Sequence, residues 1–415
     1  MSIEAHVLRW LGIYEETAGN YQTDHSGTPG DFLALPYREG TLEAQLAQEP
    51  LDPMTGKMRL DGTDEVVLGP KSCSLSASVT LHSHGQDLDG DVTPTTKTSW
   101  ALLRALQTIM GGMTATTDES AQTTVQAGTT TTVVNVTTGH GGRFEAGGVI
   151  GCEVVSGSGL IEAREVASVS TDAVTVKQAF SATPVSSSAV RGGITVYMTE
   201  DPTSSLQALI EGREATDGLY LAGLQGGFSL QLPVGGLGEI QFALQGAGWG
   251  RVGSSSATIP SYSIFSPMAL SPLEVTVPTI GSTTRVVVPQ SEVTITPQIV
   301  YAPKRSGAAT HTIARMRRMP TRPLVQGTFT APYEDDTWYT AHSSRTDLAL
   351  FAQAGNVPGS TCLISVPTIQ IHTPPQPGAS GENIAGQVVS WQARHDAEIG
   401  STSALSYSAL RIHFL

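Results

Sequence analysis

The segment GFSLQLPVGGLGEIQFALQGAG, residues 227–248, decides the fold class. Apolar and polar residues alternate on both sides of its glycine-rich turn, which predicts a β-hairpin with one apolar face. That face comprises Phe228, Leu230, Leu232, Ile240, Phe242 and Leu244. The opposite face has no lysine or arginine and comprises Ser229, Gln231, Glu239, Gln241, Ala243 and Gln245.

Composition extends this interpretation to the whole chain. The 415 residues contain many short apolar runs separated by 44 glycines and 24 prolines, and only 14% of the residues are charged. Such a pattern is typical of an all-β protein, and the length is sufficient for two or three domains. The net charge of −14 argues against a surface that grips nucleic acid by neutralising its phosphates. It does not argue against a surface past which nucleic acid slides.

The cysteines and the N-terminal residues indicate a reducing compartment. Cys73, Cys152 and Cys362 are widely spaced and form no C-x-x-C pair, so we expect small buried hydrophobes rather than disulfides or a metal site. Residues 1–16 do not resemble a signal peptide, and no run of about 18 apolar residues occurs. We therefore expect folding in the cytoplasm without membrane insertion.

Two helices are predicted. In the segment 94–112, Thr98 or Ser99 is expected to cap a helix that ends at Gly111. Its apolar stripe, which we interpret as core packing, is Leu102, Leu106, Ile109 and Met110. The segment SSRTDLALFAQAGN, 343–356, predicts a short helix capped by Ser343 or Ser344. The segment 204–212 fits a helix and a strand equally well.

Short strands separated by turn residues predict a small β-domain within a larger one. The predicted organisation is a core formed by 1–125 and 199–415, with an inserted domain at 126–198. In TCLISVPTIQIHTPPQP, 361–377, the apolar positions change parity at Pro367, which indicates a bulge or bend in a strand.

The sequence offers little support for a metal or catalytic site. The segment HSHGQDLDGD, 82–91, has aspartates at the first spacings of a calcium loop, but Val92 replaces the glycine of the turn and Thr98 the closing glutamate. Glu334, Asp335 and Asp336 are adjacent in one loop, whereas a glycosidase needs two carboxylates across a cleft. No nucleophile or phosphate-binding motif occurs, so the sequence predicts neither an enzyme nor a cofactor.

The order of the segments resembles that of the tail tube proteins of long-tailed (siphovirus-type) bacteriophages. The similar segments are WLGIYEETAGNYQT (10–23), the hairpin 227–248 with its final Gly-Ala-Gly, the predicted helix and strands of 343–377, and GQVVSWQARHD (386–396). They lie at the two ends and in the middle of the predicted core. The 126–198 insert departs from the minimal pattern, and similar proteins carry extra Ig-like or barrel-like domains on the tube exterior.

The resemblance implies a mainly β subunit, a sandwich or barrel with a flanking helix. Six copies would form a ring, and stacked rings would form a virion tube that conducts double-stranded DNA without tight binding. The implied partners are the chain itself and the tape measure, tail terminator and distal tail proteins, met after synthesis in the host cytoplasm. Candidate lumen residues are Ser229, Gln231, Glu239, Gln241, Gln245, Ser390 and Gln392.

The resemblance also suggests contact regions between subunits. The candidate inter-ring loop contains Glu49, Asp52, Lys57, Arg59 and Asp61. The candidate inter-subunit basic cluster contains Arg315, Arg317, Arg318 and Arg322. Two alternatives of different classes stay open. One is an adhesin whose inserted domain recognises a cell surface, and the other is a hydrolase that uses residues 334–336.

Overall fold

The computed structural model describes the chain in segments. These are residues 10–16, 32–51, 65–83, 100–115, 123–199, 202, 204–211, 218–233, 235–252, 269–280, 282, 286–288, 292–298, 301–305, 313–318, 324–332, 336–380, 384–394 and 404–415.

The described segments are mainly strands. In chain order they are β1 (Trp10–Glu16), β2 (Leu33–Leu35), β3 (Tyr37–Leu51), β4 (Glu65–Thr80), β5 (Gly111–Ala115), β6 (Thr123–Thr124), β7 (Val133–Asn135), β8 (Val149–Glu153), β9 (Ile161–Ser170), β10 (Ala173–Val176), β11 (Ala189–Arg191), β12 (Ile194–Met198), β13 (Ser205–Glu211), β14 (Gly218–Pro233), β15 (Glu239–Gly246), β16 (Gly248–Val252), β17 (Pro272–Thr276), β18 (Glu292–Gln298), β19 (Tyr301–Arg305), β20 (Ile313–Arg318), β21 (Leu324–Pro332), β22 (Leu348–Val357), β23 (Ser360–Ile371), β24 (Gln376–Ser380), β25 (Ile384–Ala393) and β26 (Arg411–Phe414). The helices are α1 (Ala101–Met110), α2 (Thr337–Ser343) and the single turn α3 (Ala404–Tyr407). The predicted mainly β class is confirmed.

One layer of the fold, which we call the inner sheet, has the strand order β4-β15-β14-β18-β21-β25. All its ladders are antiparallel, and the hairpin predicted at 227–248 forms its centre as β14 and β15. Alternate side chains of every strand enter one hydrophobic core; examples are Val79, Ile240, Leu230, Ile295, Phe329 and Trp391. Burial of these apolar side chains therefore determines which face of the inner sheet points into the core.

A second layer, the outer sheet, covers the other side of this core. Its strand order is β17-β22-β23-β26-β12-β5. The residues that it contributes to the same core include Val275, Leu350, Ile364, Ile412 and Val196. Strands β13, β1 and β2 continue from β14 in that order, and β16 pairs with β14 where it changes partners. Strands β3 and β24 pair with β4 and β25 of the inner sheet. The segment 204–212, which the sequence left ambiguous, thus contains a strand.

Helix α1 packs into this core as predicted. Its four stripe residues, Leu102, Leu106, Ile109 and Met110, are fully buried. The left-handed Gly111, with φ of 97°, ends it. The N-cap residue is Trp100, which makes no side-chain capping bond, and the predicted caps Thr98 and Ser99 lie outside the described residues. Packing of the apolar face stabilises this helix.

The helix predicted at 343–356 is also wrong. Residues 348–357 form β22, and α2 lies before them at Thr337–Ser343. The strand is buried on both faces: Leu350 and Ala352 enter the main core, whereas Ala349 and Phe351 pack against the inserted strands. A strand covered on both sides has no polar face, so its sequence lacks the alternation that identifies a strand.

Strand β23 turns a corner between the two sheets. Its first part pairs with β22 and β26, and Ile369–Ile371 pair with β25 of the inner sheet. The ladder with β22 shifts register between the pairs Leu350↔Val366 and Leu348↔Ile369, so Pro367 lies in a bulge. Ile364 and Ile369 enter the same core although their positions differ in parity. The bend predicted at Pro367 is confirmed, and it joins the two layers.

Strands between 123 and 191 form a separate sheet of order β6-β11-β8-β9-β10-β7. Its two edges meet, because the N–H of Gln126 beside β6 donates to the carbonyl of Asn135 in β7. The closed sheet, which we call the small barrel, surrounds its own core of eleven buried residues, among them Ile150, Val166 and Phe180. Strand β12, which follows, belongs instead to the outer sheet.

Candidate functional surface

The face of the inner sheet that points away from the core is polar across all six strands. The ladders place Gln231 between Glu239 and Thr294, and Thr294 is followed by Thr328 and Ser390 on the next two strands. A second row pairs Ser78 with Gln241 and Gln241 with Ser229. Paired residues of an antiparallel ladder point to the same side. The rows therefore form one continuous surface, which we call the polar face.

All seven candidate lumen residues lie on the polar face. Gln241, Gln245 and Gln392 are exposed, and the other four, Ser229, Gln231, Glu239 and Ser390, are half-buried. The structure adds neighbours that sequence reasoning missed; they are Ser74, Ser76, Ser78, Thr294, Thr296, Gln326, Thr328 and Thr330. Their alternation was visible in the sequence, but strand order was needed to put them on one surface.

Most polar groups of the polar face are hydroxyls and amides. Glu239 supplies a carboxylate, which accepts a hydrogen bond from the Ser78 hydroxyl and one of 3.4 Å from the amide of Gln241. Arg38 of β3, 63% exposed, reaches this carboxylate at 3.5 Å. No pattern in the sequence indicated this arginine, and an ion pair of this exposure stabilises little. Among the described positions of the six strands, the polar face contains no lysine or arginine of its own.

The polar face lies on the opposite side of the core from the small barrel. The barrel packs on the outer sheet, where Ile161 and Ala163 contact Phe351, Leu363 and Leu415 in a shared apolar cluster. The order across the molecule is therefore polar face, inner sheet, core, outer sheet and small barrel. A ligand on the polar face would be separated from the barrel by both sheets.

A buried charge cluster attaches the small barrel to the outer sheet. Glu165 of β9 and Arg411 of β26 form an ion pair in which both side chains are fully buried. Lys177 lies 3.2 Å from the same carboxylate. Burial alone would raise the pKa of Glu165, but Arg411 and Lys177 lower it to about 2. Nearby, burial lowers the pKa of His413 to about 4.

The imidazole of His413 is held neutral inside this interface. Its Nδ1 lies 2.9 Å from the Thr195 hydroxyl and its Nε2 lies 2.9 Å from the Ser365 hydroxyl. The Ser–His contact resembles the pair in a hydrolase. Both residues are buried, however, at 0% exposure, so no substrate reaches them. The contact is structural.

The candidate contact regions are only partly described. Glu49 lies in β3 opposite Val67 of β4, so its segment is a hairpin strand, whereas Asp52, Lys57, Arg59 and Asp61 lie outside the described residues. Arg315, Arg317 and Arg318 lie in β20, which pairs with β19 in a two-stranded ribbon. The pairing sets Arg315 opposite Lys304, and Arg322 lies outside the described residues.

The other candidate chemical groups do not assemble into a site within the described segments. Asp336 precedes α2, whereas Glu334, Asp335 and residues 84–91 are not described. His82 is buried, which lowers its pKa, and its Nδ1 contacts the Thr80 carbonyl at 2.8 Å. All three cysteines are buried free thiols, and burial raises the pKa of Cys73 to about 12.

The described residues contain no candidate metal site and no candidate membrane-spanning helix. No group of three or more His, Cys, Asp or Glu side chains is placed to hold a metal ion. No helix within these segments is long and apolar enough to cross a membrane.

Comparison with known proteins assigns no family. No protein-family model matches the chain, and no curated protein matches it significantly.

Proposed function

We propose that this chain is the subunit of a bacteriophage tail tube. In this proposal six copies form a ring, rings stack into a tube, and the polar face of each copy lines the lumen through which DNA leaves the virion. The tape measure, tail terminator and distal tail proteins are its further partners.

The observation that carries the proposal is the polar face. A conduit for DNA must be wide and wettable and must not hold phosphates. Rows of Ser, Thr and Gln on six adjacent strands provide a hydrated wall, and a rigid core stands behind it. The single pairing of Arg38 with Glu239 leaves no local excess of positive charge at that point.

The position of the small barrel supports the same orientation. It packs on the outer sheet, away from the polar face, so a tube lined by the polar face would carry the barrel outside. The chain's formal charge of −14 gives about −84 for six copies, and any part of it that faces inward repels DNA. One element of the resemblance does not hold, since β22 replaces the predicted helix.

Microscopy of the purified protein tests the assembly. We expect negative-stain images to show hexameric rings or tubes. A strict monomer that binds glycan or turns over substrate would oppose the proposal and favour one of the alternatives.

A charge change on the polar face tests the lumen. Gln231→Lys with Gln241→Lys adds two cations per copy and 12 in a ring of six, and the strands stay paired because only half-buried and exposed positions change. We expect assembly to be normal and DNA ejection to be slow or blocked. Gln126→Lys with Ser156→Lys, at two exposed positions of the small barrel, adds the same charge and is the matched control, which should eject normally. Normal ejection by the double variant would show that the polar face does not line the lumen.

A further inference from the structure

The small barrel is connected to the outer sheet at one place. The chain leaves β5 at Ala115 and enters the barrel at Thr123, and it returns from β11 to β12 through Gly192 and Gly193. Strands β5 and β12 are paired, with Ala115 opposite Ile194, so both connections lie at the same end of two neighbouring strands. Two glycines beside this attachment allow the backbone rotation that a hinge requires.

The barrel has a core of its own, which can stay intact when the barrel moves. The eleven buried residues of that core, among them Cys152, are separate from the core between the two sheets. Within the described residues, the barrel shares one small apolar cluster with the outer sheet. Polar contacts cross the same interface: the Ala163 N–H donates to the side chain of Gln353 at 3.0 Å, and the Thr276 hydroxyl donates to Gln178. The interface is therefore more polar than either core, as is usual between domains that move.

The buried charges at this interface are divided between the two parts. Glu165 and Lys177 belong to the barrel, whereas Arg411 and His413 belong to β26 of the outer sheet. The imidazole of His413 lies between one hydroxyl of β12 and one of β23. Among the described residues, the charged groups that face it are Arg411 on its own strand and Glu165 and Lys177 on the barrel. We call these four side chains the charge cluster.

An additional positive charge would destabilise the charge cluster. At neutral pH the cluster contains one carboxylate and two cations, and the ion pair of Glu165 with Arg411 crosses the interface. A proton on His413 would add a third cation at a position of 0% exposure, where water cannot offset the repulsion. Movement of the barrel admits water to His413 and Arg411, whereas Glu165 keeps its contact with Lys177, 3.2 Å away. Uptake of a proton therefore favours an open arrangement.

We propose that the small barrel is a hinged module, which the charge cluster holds against the outer sheet at neutral pH and which rotates away when His413 takes up a proton. Opening uncovers Ala349, Phe351, Leu363 and Leu415, which contact the barrel in the closed arrangement. The protein would thus conceal an apolar surface at neutral pH and present it in acid. The inference concerns a single copy of the chain, so it goes beyond the proposed function and does not depend on it.

A cysteine placed beneath the barrel tests the inference. Ala349 is 5% exposed and contacts the barrel, so the thiol of Ala349→Cys should react only when the barrel moves. Dithiodipyridine, which reacts with thiols in acid, measures the labelling rate relative to that of the unfolded chain at the same pH. The pKa of His413 is lowered to about 4, so opening takes up one proton between pH 6.5 and 4. The relative rate should therefore rise about tenfold for each pH unit across that range. Cys152 in the barrel core and Cys362 in the main core should stay unreactive.

Three further variants identify the groups responsible. With His413→Gln added, the side chain takes up no proton, so the relative rate should not change with pH. His342→Gln is the matched control, because His342 lies in helix α2, away from the charge cluster, and it should leave the pH dependence as it was. Glu165→Gln removes the ion pair across the interface and should raise the relative rate at pH 7 by roughly 100-fold or more.

Two results would overturn the inference. One is a relative labelling rate that does not depend on pH. The other is reaction of Cys152 or Cys362 together with the introduced thiol, because the chain would then unfold rather than open. If Ala349→Cys does not fold, which fluorescence of the five tryptophans outside the barrel would show, Ala163→Cys places the thiol on the barrel side of the same apolar cluster. The same rates and controls then decide the inference.

Discussion

The ion pair between Glu165 and Arg411 gives the sharpest test of how the small barrel is held. Both side chains have 0% exposure, and Lys177 is 3.2 Å from the same carboxylate. Glu165→Gln removes the negative charge and leaves two cations in the interface. Because the cost of an unpaired buried charge is not recovered elsewhere, we expect a loss of about 3–5 kcal/mol in the free energy of unfolding.

The double variant Glu165→Leu with Arg411→Leu separates the pair from the cost of isolating one partner. It removes both members of the ion pair and leaves one cation, Lys177, instead of two, so it should be less destabilised than Glu165→Gln. The cycle completed with the single variants Glu165→Leu and Arg411→Leu measures the coupling. The matched control is Asp347→Asn, which breaks the pair with Arg394 at 3.0 Å where the side chains are 39% and 54% exposed. This change should cost about 0–1 kcal/mol.

Urea unfolding followed by tryptophan fluorescence measures these differences, and an unchanged denaturant slope shows that the same surface unfolds. If Glu165→Gln costs no more than Asp347→Asn, the cluster is not a buried charge network and our account of the interface is wrong.

The pKa of Glu165 also predicts the direction in which stability changes with pH. The pKa of Glu165 is lowered to about 2, so its contribution is present above the ordinary carboxyl value and is lost as the pH falls towards 2.

Two further predictions concern pH and packing. Burial lowers the pKa of His413 to about 4, so the free energy of unfolding should fall by about 3 kcal/mol as the pH drops from 6.5 to 4. In His413→Gln, the urea midpoint should depend less on pH across that range. If the variant keeps the pH dependence of the unmodified protein, this prediction is wrong. Gly327→Ala places a methyl group 1.9 Å from the Thr294 carbonyl and should cost about 1–3 kcal/mol in urea unfolding, whereas Gly227→Ala meets its nearest atom at 3.4 Å and should cost little. Equal costs for the two glycines would show that the inner sheet relaxes around the added group.

Whether an element could be predicted from the sequence depended on how much of it is exposed to water. The hairpin 227–248 was predictable because one of its faces meets water, so apolar and polar residues alternate along its sequence. Helix α1 was predictable from its stripe and its final glycine. Strand β22 was not predictable. Leu350 and Phe351 are buried on opposite faces, so the sequence of the strand does not alternate between apolar and polar residues. For a strand, local pattern therefore identifies the element only where one of its faces meets water.

The polar face was predictable in part for a related reason. Gln231 and Gln241 belong to one hairpin, and the alternation of residues along its two strands places both side chains on the same face. Thr294, Thr328 and Ser390 join them only through ladders between distant segments, which local periodicity does not encode. The same limit applies to Glu165 and Arg411, which are 246 residues apart in the chain.

The corner at Pro367 has a consequence for the order of folding. Strands β22 and β23 are joined by a two-residue turn at 358–359, so their hairpin closes quickly. Because β23 belongs to both sheets, this early hairpin presents edges on which each layer can nucleate. The pairings that complete the layers, such as β12 with β26, span more than 200 residues, so the entropy of loop closure favours their formation after the local hairpin. A substitution that weakens the corner should therefore slow folding more than it speeds unfolding.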